Sequence, residues 1–584
     1  MSATFQPDRM PGYVLPKYEY RKPPELGGGD SPLYPVIVVG AGLAGLTTAL
    51  ELGSRGVRTV LLDDDDTVGA QGLSSRGICH AKRSLEIFDR FGVAERIRAK
   101  GVTWNEGDVF VRDERIFRFN LQPGQDQKFP AFVNLQQFYV EQYLVEALQR
   151  MDAVSLRWKN RVAGVKQQAD HVALAVETPD GRYTLRARYV VAADGAHSVL
   201  REQLGAKDAE SSLFDNHWCI ADVRMPGSPG AVRKAFLDAP QNDGGAVWVH
   251  QMADGIWRTD WLISHYDDPQ AEAQPERARA RLKKLLGPDA PFELVWVGPW
   301  RFRRRVLERM THGRVFFMGD ASAQHSPFGA RGGNRAVQDA NNLAWKLALV
   351  VAGKAPAALL QTYEQERHFA AREAVEIASR SAVFIAPETA GQRLVRDAFL
   401  ELARRHEWAR PMVNVGRLAV ASVYAFSPLN MERGSFDSTL AQPGAAAPDG
   451  RYGSGFFVER LQGDFTVACF GGEAPGALCV QREGHEALFE RYSVGDKATY
   501  VFRPDGHVLA RCTGIDPLFA RNAIDAVLAG ATRPARAAQS VQPAADRLFD
   551  KLSAELDAMA PEQRAGALAT VVAQLESKSG SEPD

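Results

Sequence analysis

Apolar residues return along this chain of 584 residues in two rhythms. Pro35 to Val39 is an unbroken apolar run of strand length, Leu46, Ala49, Leu50 and Leu52 follow at helical spacing, and Val57 to Leu62 form a second buried run ending in Asp63. Together they predict a βαβ unit. Two further runs, Tyr189 to Ala193 and Val315 to Met318, each lead into a short polar motif, Asp194-Gly195 and Gly319-Asp320. A helix is predicted from about Arg335 to Val351, with Leu343 and Leu347 on its buried face. The segment GAVWVHQMADGIWRTDWLI alternates instead and predicts a hairpin with a two-residue turn at Asp254-Gly255. That turn would pair Met252 with Trp257, His250 with Thr259 and Trp248 with Trp261, all six on one face, which either floors a pocket or packs against a neighbouring domain. After about Gly444, FTVACF and ATYVFRPDGHVLARC read as strands, the second pair joined at Pro504-Asp505-Gly506, and DPLFARNAIDAVLAG as a helix. In the last fifty residues Leu548, Leu552 and Leu556 share one helical face, suited to a subunit contact or to docking within the chain.

Composition narrows the function classes. The length predicts two to four domains, and 45% hydrophobic with 24% charged residues is ordinary globular material. A net charge of -1 argues against a nucleic-acid partner, and the basic spot Arg301 to Arg305 reads as a solvated or ion-paired strand end. Five scattered cysteines without a C-x-x-C pair indicate neither a disulfide framework nor a zinc site and suit a reducing, cytoplasmic setting. No run approaches the roughly eighteen apolar residues of a membrane span. The first 33 residues, rich in Pro, Tyr and charge and lacking an apolar core, are read as an extended arm or a disordered leader rather than a signal peptide.

Gly40, Gly42 and Gly45 fall at G-x-G-x-x-G spacing between the first strand and its helix, with Ala44 inside the turn. Gly40 serves the tight turn, Gly42 the approach of backbone to a pyrophosphate, and Gly45 close helix-strand packing. Helix amides then face the phosphates, and Asp63 is placed to bond a ribose hydroxyl. The motif alone does not separate FAD from a nicotinamide dinucleotide. Ligands of open α/β sheets sit at the carboxyl ends of the strands, so Asp194 (in D-G-x-x-S-x-x-R, with Arg201) and Asp320 are expected at the same cleft.

This triple pattern resembles the single-component FAD-dependent aromatic, phenol-type hydroxylases of the para-hydroxybenzoate hydroxylase fold group. The resemblance runs from about Val36 to Leu347 and more weakly to about Leu528. It implies an α/β fold with a Rossmann-like FAD-binding domain (34–211 and 306–440) and a β-sheet substrate domain (212–305, helped by roughly 103–130). A thioredoxin-like domain (441–535) and a C-terminal helix and tail (536–584) would follow. SSRGICHAKRSLEIFDRFG resembles the stretch that sets an arginine, here Arg76, beside the flavin pyrophosphate, and NLQQFYVEQYLVEAL implies a cofactor contact by Gln137 rather than Gln136. Asp320 is implied at the ribityl chain, and Asp194 and Arg201 at both FAD and NAD(P)H. Pro327, Gly329, Ala330, Arg331, Gly332, Gly333 and Asn334, just before the predicted helix, would let the flavin ring come close to unpaired amides whose dipoles stabilise the reduced, anionic ring.

The implied activity is a monooxygenase cycle. NAD(P)H reduces FAD, O2 adds at the flavin C4a to give a hydroperoxide, and its distal oxygen goes to a phenolic ring. His80, His250, Tyr266 and His325 are candidates to help deprotonate the phenol. Family members commonly read G-D-A-A-H where this chain has Ala323, with a histidine two residues later at His325, which thus inherits no role. No metal-ligand pattern is present. Open alternatives are a tailoring hydroxylase of a larger aromatic natural product, an FAD-dependent reductase or dehydrogenase, and an FAD-bound scaffold. The W-x-W-x-I-P signature of flavin halogenases is missing. A homo-oligomer, in its simplest form a dimer, is expected.

Overall fold

A computed structural model describes residues 13–27, 31–69, 75–122, 126–226, 232–461, 463–530 and 544–579. Parts of the expected N-terminal arm and C-terminal tail lie outside the described residues.

The first sheet has eight strands. Val315–Phe317, Gly181–Ala192, Leu33–Val39, Thr59–Leu62 and Val154–Arg157 run parallel in that order, the short strand Thr311–His312 pairs antiparallel with Val315–Phe317 at the edge, and the strands Val172–Thr178 and Arg161–Gln167 extend the sheet antiparallel beside Gly181–Ala192. These central strands read as continuous apolar runs because both faces are covered, one by helices and the other by side chains of the antiparallel part of the sheet, among them Val162, Val172, Leu174 and Leu185. The second begins at Thr59, not Val57, because the Val57 N–H bonds back to Leu52 O and closes the preceding helix. Register matters most: Val39 pairs with Leu62 on one side and Ala192 on the other, and Ala192 with Phe317, so four strands end at one level. The helices Leu43–Gly53 and Gly332–Val351 pack on the same side of this sheet and share its core, including Leu46, Leu50, Leu343 and Leu347.

A second, mixed sheet of eight strands stands beside it, in the order Ala323–Gln324, Glu293–Leu307, Asp208–Arg224, Ile256–Ile263, Gly245–Gln251, Arg233–Ala239, Glu106–Val111, Glu114–Asn120. The hairpin forms here, but not in the predicted register. Gln251 pairs with Trp257, His250 with Arg258, Trp248 with Asp260 and Val247 with Trp261. Asp254 and Gly255 both take positive φ, +63° and +66°, inside a three-residue loop closed by Met252 N–H to Ile256 O at 2.8 Å. One residue of slip moves alternate side chains to opposite faces. Trp248 therefore joins Trp218, Phe302 and Phe328, whereas Trp257 and Trp261 pack on the other side with Val247, Val249 and Cys219.

The third sheet is ordered Met431–Arg433, Val508–Thr513, Ala498–Phe502, Thr466–Phe470, Leu478–Val480. Two parallel pairs, Met431–Arg433 with Val508–Thr513 and Thr466–Phe470 with Leu478–Val480, are joined by the antiparallel strand Ala498–Phe502 and followed by the helix Pro517–Leu528. The turn at Pro504-Asp505-Gly506 inserts into the first unit. Arg503 makes a bidentate pair with Glu366 at 2.7 and 2.9 Å, and Lys346 reaches the same carboxylate at 2.8 Å, all three fully buried. The helix Ala544–Asp557 docks within the chain: Phe549, Leu552 and Leu556 are buried with Val395 and Phe399, and Leu548 packs at the edge.

Residues 13–20 run extended over the first unit. Tyr18 stacks on Trp158 with centroids 4.6 Å apart, and the Tyr13 hydroxyl donates to Asp222 of the second sheet at 3.0 Å. Asp222 also accepts from the Ser75 N–H at 3.2 Å and the Ser75 hydroxyl at 3.1 Å.

Candidate active site

The common level of the strand ends brings the predicted motifs together. At Gly40, φ is +99° and a Cβ would lie 2.4 Å from Ala193 O, so only glycine lets the two chain crossings touch. A Cβ on Gly45 would lie 1.8 Å from Gly40 O, whereas one on Gly42 would meet nothing nearer than Glu141 Oε1 at 3.9 Å. Gly42 caps the first helix without a side-chain hydrogen bond, which leaves the amides behind it for an anion. A Cβ on Gly319 would approach Ala44 Cβ to 3.3 Å, and one on Gly333 the Leu43 side chain to 3.1 Å. Gly40 to Ala44, Asp194, Gly319 and Gly333 thus border one cleft, and two helix N-termini face it.

Asp63 ends the second strand and is turned onto the loop, accepting from Ala41 N–H at 2.6 Å and Asp65 N–H at 2.9 Å; burial pushes its carboxyl up to about 7. Asp194 is likewise pushed up by burial; its Oδ2 accepts from Leu200 N–H at 3.2 Å and its Oδ1 is buried without a partner. Arg201 joins the two polar motifs, donating to Ala196 O at 2.7 Å and Ala321 O at 3.2 Å. Asp320 is exposed at the end of its strand. Gln137, first residue of the helix Gln137–Leu148, donates to Glu141 at 2.7 Å and accepts from Gly77 N–H at 3.1 Å, while Gln136 is buried and donates to Ala253 O. Arg76 is exposed, with φ +54°, and its carbonyl accepts from Arg258.

The glycine helix starts at Gly332, three residues before the predicted Arg335, so Gly332, Gly333 and Asn334 form its first turn and their amides are the unpaired ones. Gly332 is open on the cleft side, where a Cβ would find only His325 Cε1 at 3.9 Å. Gly329 needs its φ of +88° and passes so close to Arg417 O that a Cβ would lie 2.2 Å away; Pro327 is exposed beside it. The Asn334 side chain is not available to a cofactor: it accepts from Ala81 N–H and the Ser84 hydroxyl and donates to Cys79 O and Ala330 O, tying the helix start to the neighbouring strand.

Of the four candidates for proton transfer, Tyr266 is placed wrongly: it is 99% exposed in the loop after Ile263. A loop of polar residues after a strand turns to water, away from the cleft. His80 is buried with Nε2 3.0 Å from Leu135 O, and burial pushes it down to about 4. His325 lies at the cleft, with Nδ1 2.8 Å from Ser326 O and Nε2 lacking a partner, also pushed by burial down to about 4. His250, on the second sheet, is held well below the usual range by burial and by Arg233 and Arg258.

Residues 33–378 match a family model described as "FAD binding domain". The protein belongs to this FAD-binding family. Its 3-(3-hydroxy-phenyl)propionate/3-hydroxycinnamic acid hydroxylase 2 relative from Burkholderia vietnamiensis is 30% identical over 383 residues, 63% of this chain and 66% of that protein, slightly under two thirds of its length. Aklavinone 12-hydroxylase RdmE of Streptomyces purpurascens is 31% identical over 523 residues, 82% of this chain and 95% of that one. The fold is shared with the flavin-dependent monooxygenase PieE, solved with FAD and substrate, at TM-score 0.71 and 23% identity over 86% of this chain and all of that one. For p-nitrophenol 4-monooxygenase PnpA of Pseudomonas putida the values are 0.59 and 26%, over 67% and 100% of the two chains. The open cradle at Gly42, the unpartnered Asp194 Oδ1 and the free amides of Gly332 and Gly333 fit the FAD of this FAD-binding family.

Several residues at the site were not singled out from sequence. Arg335 and Asp339 hold the Gly-Asp motif from behind, and Arg367 pairs with the same Asp339 at 2.7 Å. Their i,i+4 spacing on a predicted helix was the available signal. Arg233 and Arg258 stand on the second sheet beside His250, and an arginine at an inward position of an alternating strand marks each of them. Among the described residues no group of three or more His, Cys, Asp or Glu side chains is arranged to hold a metal ion, and no helix is long and apolar enough to cross a membrane.

Proposed function

We propose that the protein is an FAD-dependent monooxygenase that hydroxylates a phenolic aromatic substrate with NAD(P)H and O2. One observation carries the reading: a cleft between two helix N-termini, bordered by aligned strand ends, lies next to an aromatic cluster formed by Trp218, Trp248 and Phe302 of the second sheet and Phe328 of the loop before the glycine helix. Gly40, Gly42, Ala44 and Gly45 would hold the pyrophosphate, Asp63 the adenosine ribose, and Arg76, Gln137, Asp194, Arg201 and Asp320 the remaining length. Bound FAD supplies the hydride acceptance and the oxygen activation. The chain's own residues do the positioning. Amides at Gly332 and Gly333 hold negative charge without reorganising, and the aromatic face orients a ring and keeps bulk water out. His250 and His325 are neutral at pH 7 and serve as hydrogen-bond partners to a phenol oxygen rather than as strong bases.

Alignment with RdmE over 82% of this chain and 95% of that one favours a second reading within the same chemistry: tailoring of a larger aromatic natural product. Five free thiols suit a cytoplasmic enzyme, and we expect a homo-oligomer, in its simplest form a dimer. Purified protein should be yellow and consume NAD(P)H faster when a substrate phenol is present, with one atom of labelled O2 in the product. Flavin reduction without labelled product from either simple phenols or polycyclic ones would leave only a reductase, and a colourless protein that refuses FAD would end the proposal.

A further inference from the structure

Arg233 opens the strand Arg233–Ala239, whose side chains alternate, and it occupies the inward phase with Ala235, Leu237 and Ala239. The residue is 3% exposed. Its Nη2 donates to Val415 O at 3.1 Å, its Nη1 has no partner, and the guanidinium lies 5.7 Å from the Phe119 ring centroid. No ion pair to a described carboxylate balances it. Arg157, Arg258, Arg367 and Arg503 are buried too but are balanced by Glu25, Asp260, Asp339 and Glu366, and the buried Arg331, which pairs with no described carboxylate, spends its donors on Arg417 O and Leu418 O. A guanidinium does not shed its proton, and an isolated buried charge is costly, so a fold keeps one only where something else repays it.

Its position says what. Arg233 pairs across the sheet with His250, and His250 with Arg258, so three basic side chains form one row. Arg258 is answered by Asp260 and faces Asp222, whereas His250 Nδ1, like Arg233 Nη1, is buried without a partner. A Cβ on Gly416 would lie 2.9 Å from Gly329 N and 3.6 Å from Arg233 Nη2, which sets the guanidinium against the loop leading into the glycine helix. One row along the same face stands Trp248, paired with Ala235. An unanswered cation thus lies between the aromatic face and the glycine loop, where the hydroxylase reading seats a substrate ring.

We propose that Arg233 determines specificity by receiving an anionic oxygen of the aromatic substrate, so that the enzyme selects ring compounds bearing a carboxylate or an ionised hydroxyl over their neutral counterparts. This rests on the hydroxylase reading above. Two N–H donors of a planar fork suit either kind of oxygen.

The test uses the FAD-loaded enzyme and binding rather than turnover, read from the flavin absorbance change on titration. The probes are a phenol with a propionate side chain, its primary amide, and m-cresol. In the parent enzyme the acid should bind at least about 10-fold more tightly than the amide, or m-cresol should bind more tightly as pH rises toward its own pKa. Arg233→Gln should abolish that preference while leaving amide affinity within about 2-fold, and Arg233→Lys should keep part of it. Because the change removes an unpaired buried charge, Arg233→Gln should not lower the thermal midpoint. Equal binding of acid and amide with no pH effect in the parent would overturn the proposal, as would unchanged preferences in Arg233→Gln. A variant that instead loses FAD or shifts the flavin potential with preferences intact would show that the charge answers the cofactor, and would overturn it too. Lost selectivity in a protein that never consumes NAD(P)H would sustain the Arg233 assignment and sink the hydroxylase reading alone.

Discussion

Asp339 accepts the N–H of Gly319 at 3.1 Å, and through Arg335, one helical turn before it, also governs the carbonyl of the same glycine, which Arg335 meets at 2.9 Å. The strand end that presents Asp320 is thereby fixed from inside. Replacing Asp339 with Asn leaves Arg335 and Arg367 buried without their counter-ion. We expect a loss of about 3–5 kcal/mol in stability and a fall in bound FAD, measured by denaturant unfolding and by the flavin-to-protein absorbance ratio.

Two glycines of one motif should respond differently. Gly45→Ala drives a methyl into Gly40 O and should yield little soluble protein. Gly42→Ala has room in the chain itself and a φ of -81°, so the FAD-free protein should keep its thermal midpoint while FAD affinity drops at least about 10-fold. Equal losses of stability in both variants would mean that the motif serves packing alone.

Acid sensitivity follows from His80. Burial holds it at about 4, below the 6.5 of an unfolded chain, so the unfolded state binds the extra proton and stability is lost as pH falls from 6.5 through 4. His80→Gln should flatten that slope by about 1.4 kcal/mol per pH unit. Asp63, pushed up to about 7, acts in the opposite sense: its share is present below about 4 and lost as pH rises to 7. In the FAD-free protein Asp63→Asn should therefore steepen the acid loss, as followed by thermal midpoints across pH 4 to 7.

Arg503 and Glu366 join the third sheet to the helix Gln361–Ile385. Arg503→Met alone should cost about 3–5 kcal/mol, because Glu366 then keeps Lys346 as its cation and only the neutral donors Asn342 and Ser427 besides, while the double change Arg503→Met with Glu366→Met should cost clearly less than the two single changes added. A double-mutant cycle of unfolding free energies reads the coupling.

Tyr266→Phe, by contrast, should leave kcat/KM within about 2-fold of the parent, since its ring is in solvent.

The βαβ unit and the three strand-end motifs were legible because each physical requirement leaves its own mark: continuous apolar runs for strands covered on both faces, glycine where two backbones touch, and an acid at a strand end. The hairpin was half legible. Its strands were visible, but Asp254-Gly255 fits a two-residue turn and a three-residue loop equally well, and one residue of difference sends Trp257 and Trp261 away from Trp248. The start of the glycine helix escaped because glycine is a poor helix former, yet Gly332 and Gly333 sit in the first turn, where the cleft needs bare amides. Arg233 was hidden by chemistry of another kind: an arginine in the phase of Ala235 and Leu237 contradicts a core strand, and that contradiction is itself the signal.

Asp222 gathers Tyr13 of the arm and Ser75 of the loop after the first unit's second strand onto one carboxylate of the neighbouring sheet. The arm is therefore a strap across a seam. Any hinge-like parting of the two sheets that frees Ser75 from Asp222 must unbuckle Tyr13 in the same movement, so the ease with which the seam opens is set as much by the head of the chain as by the walls of the cleft.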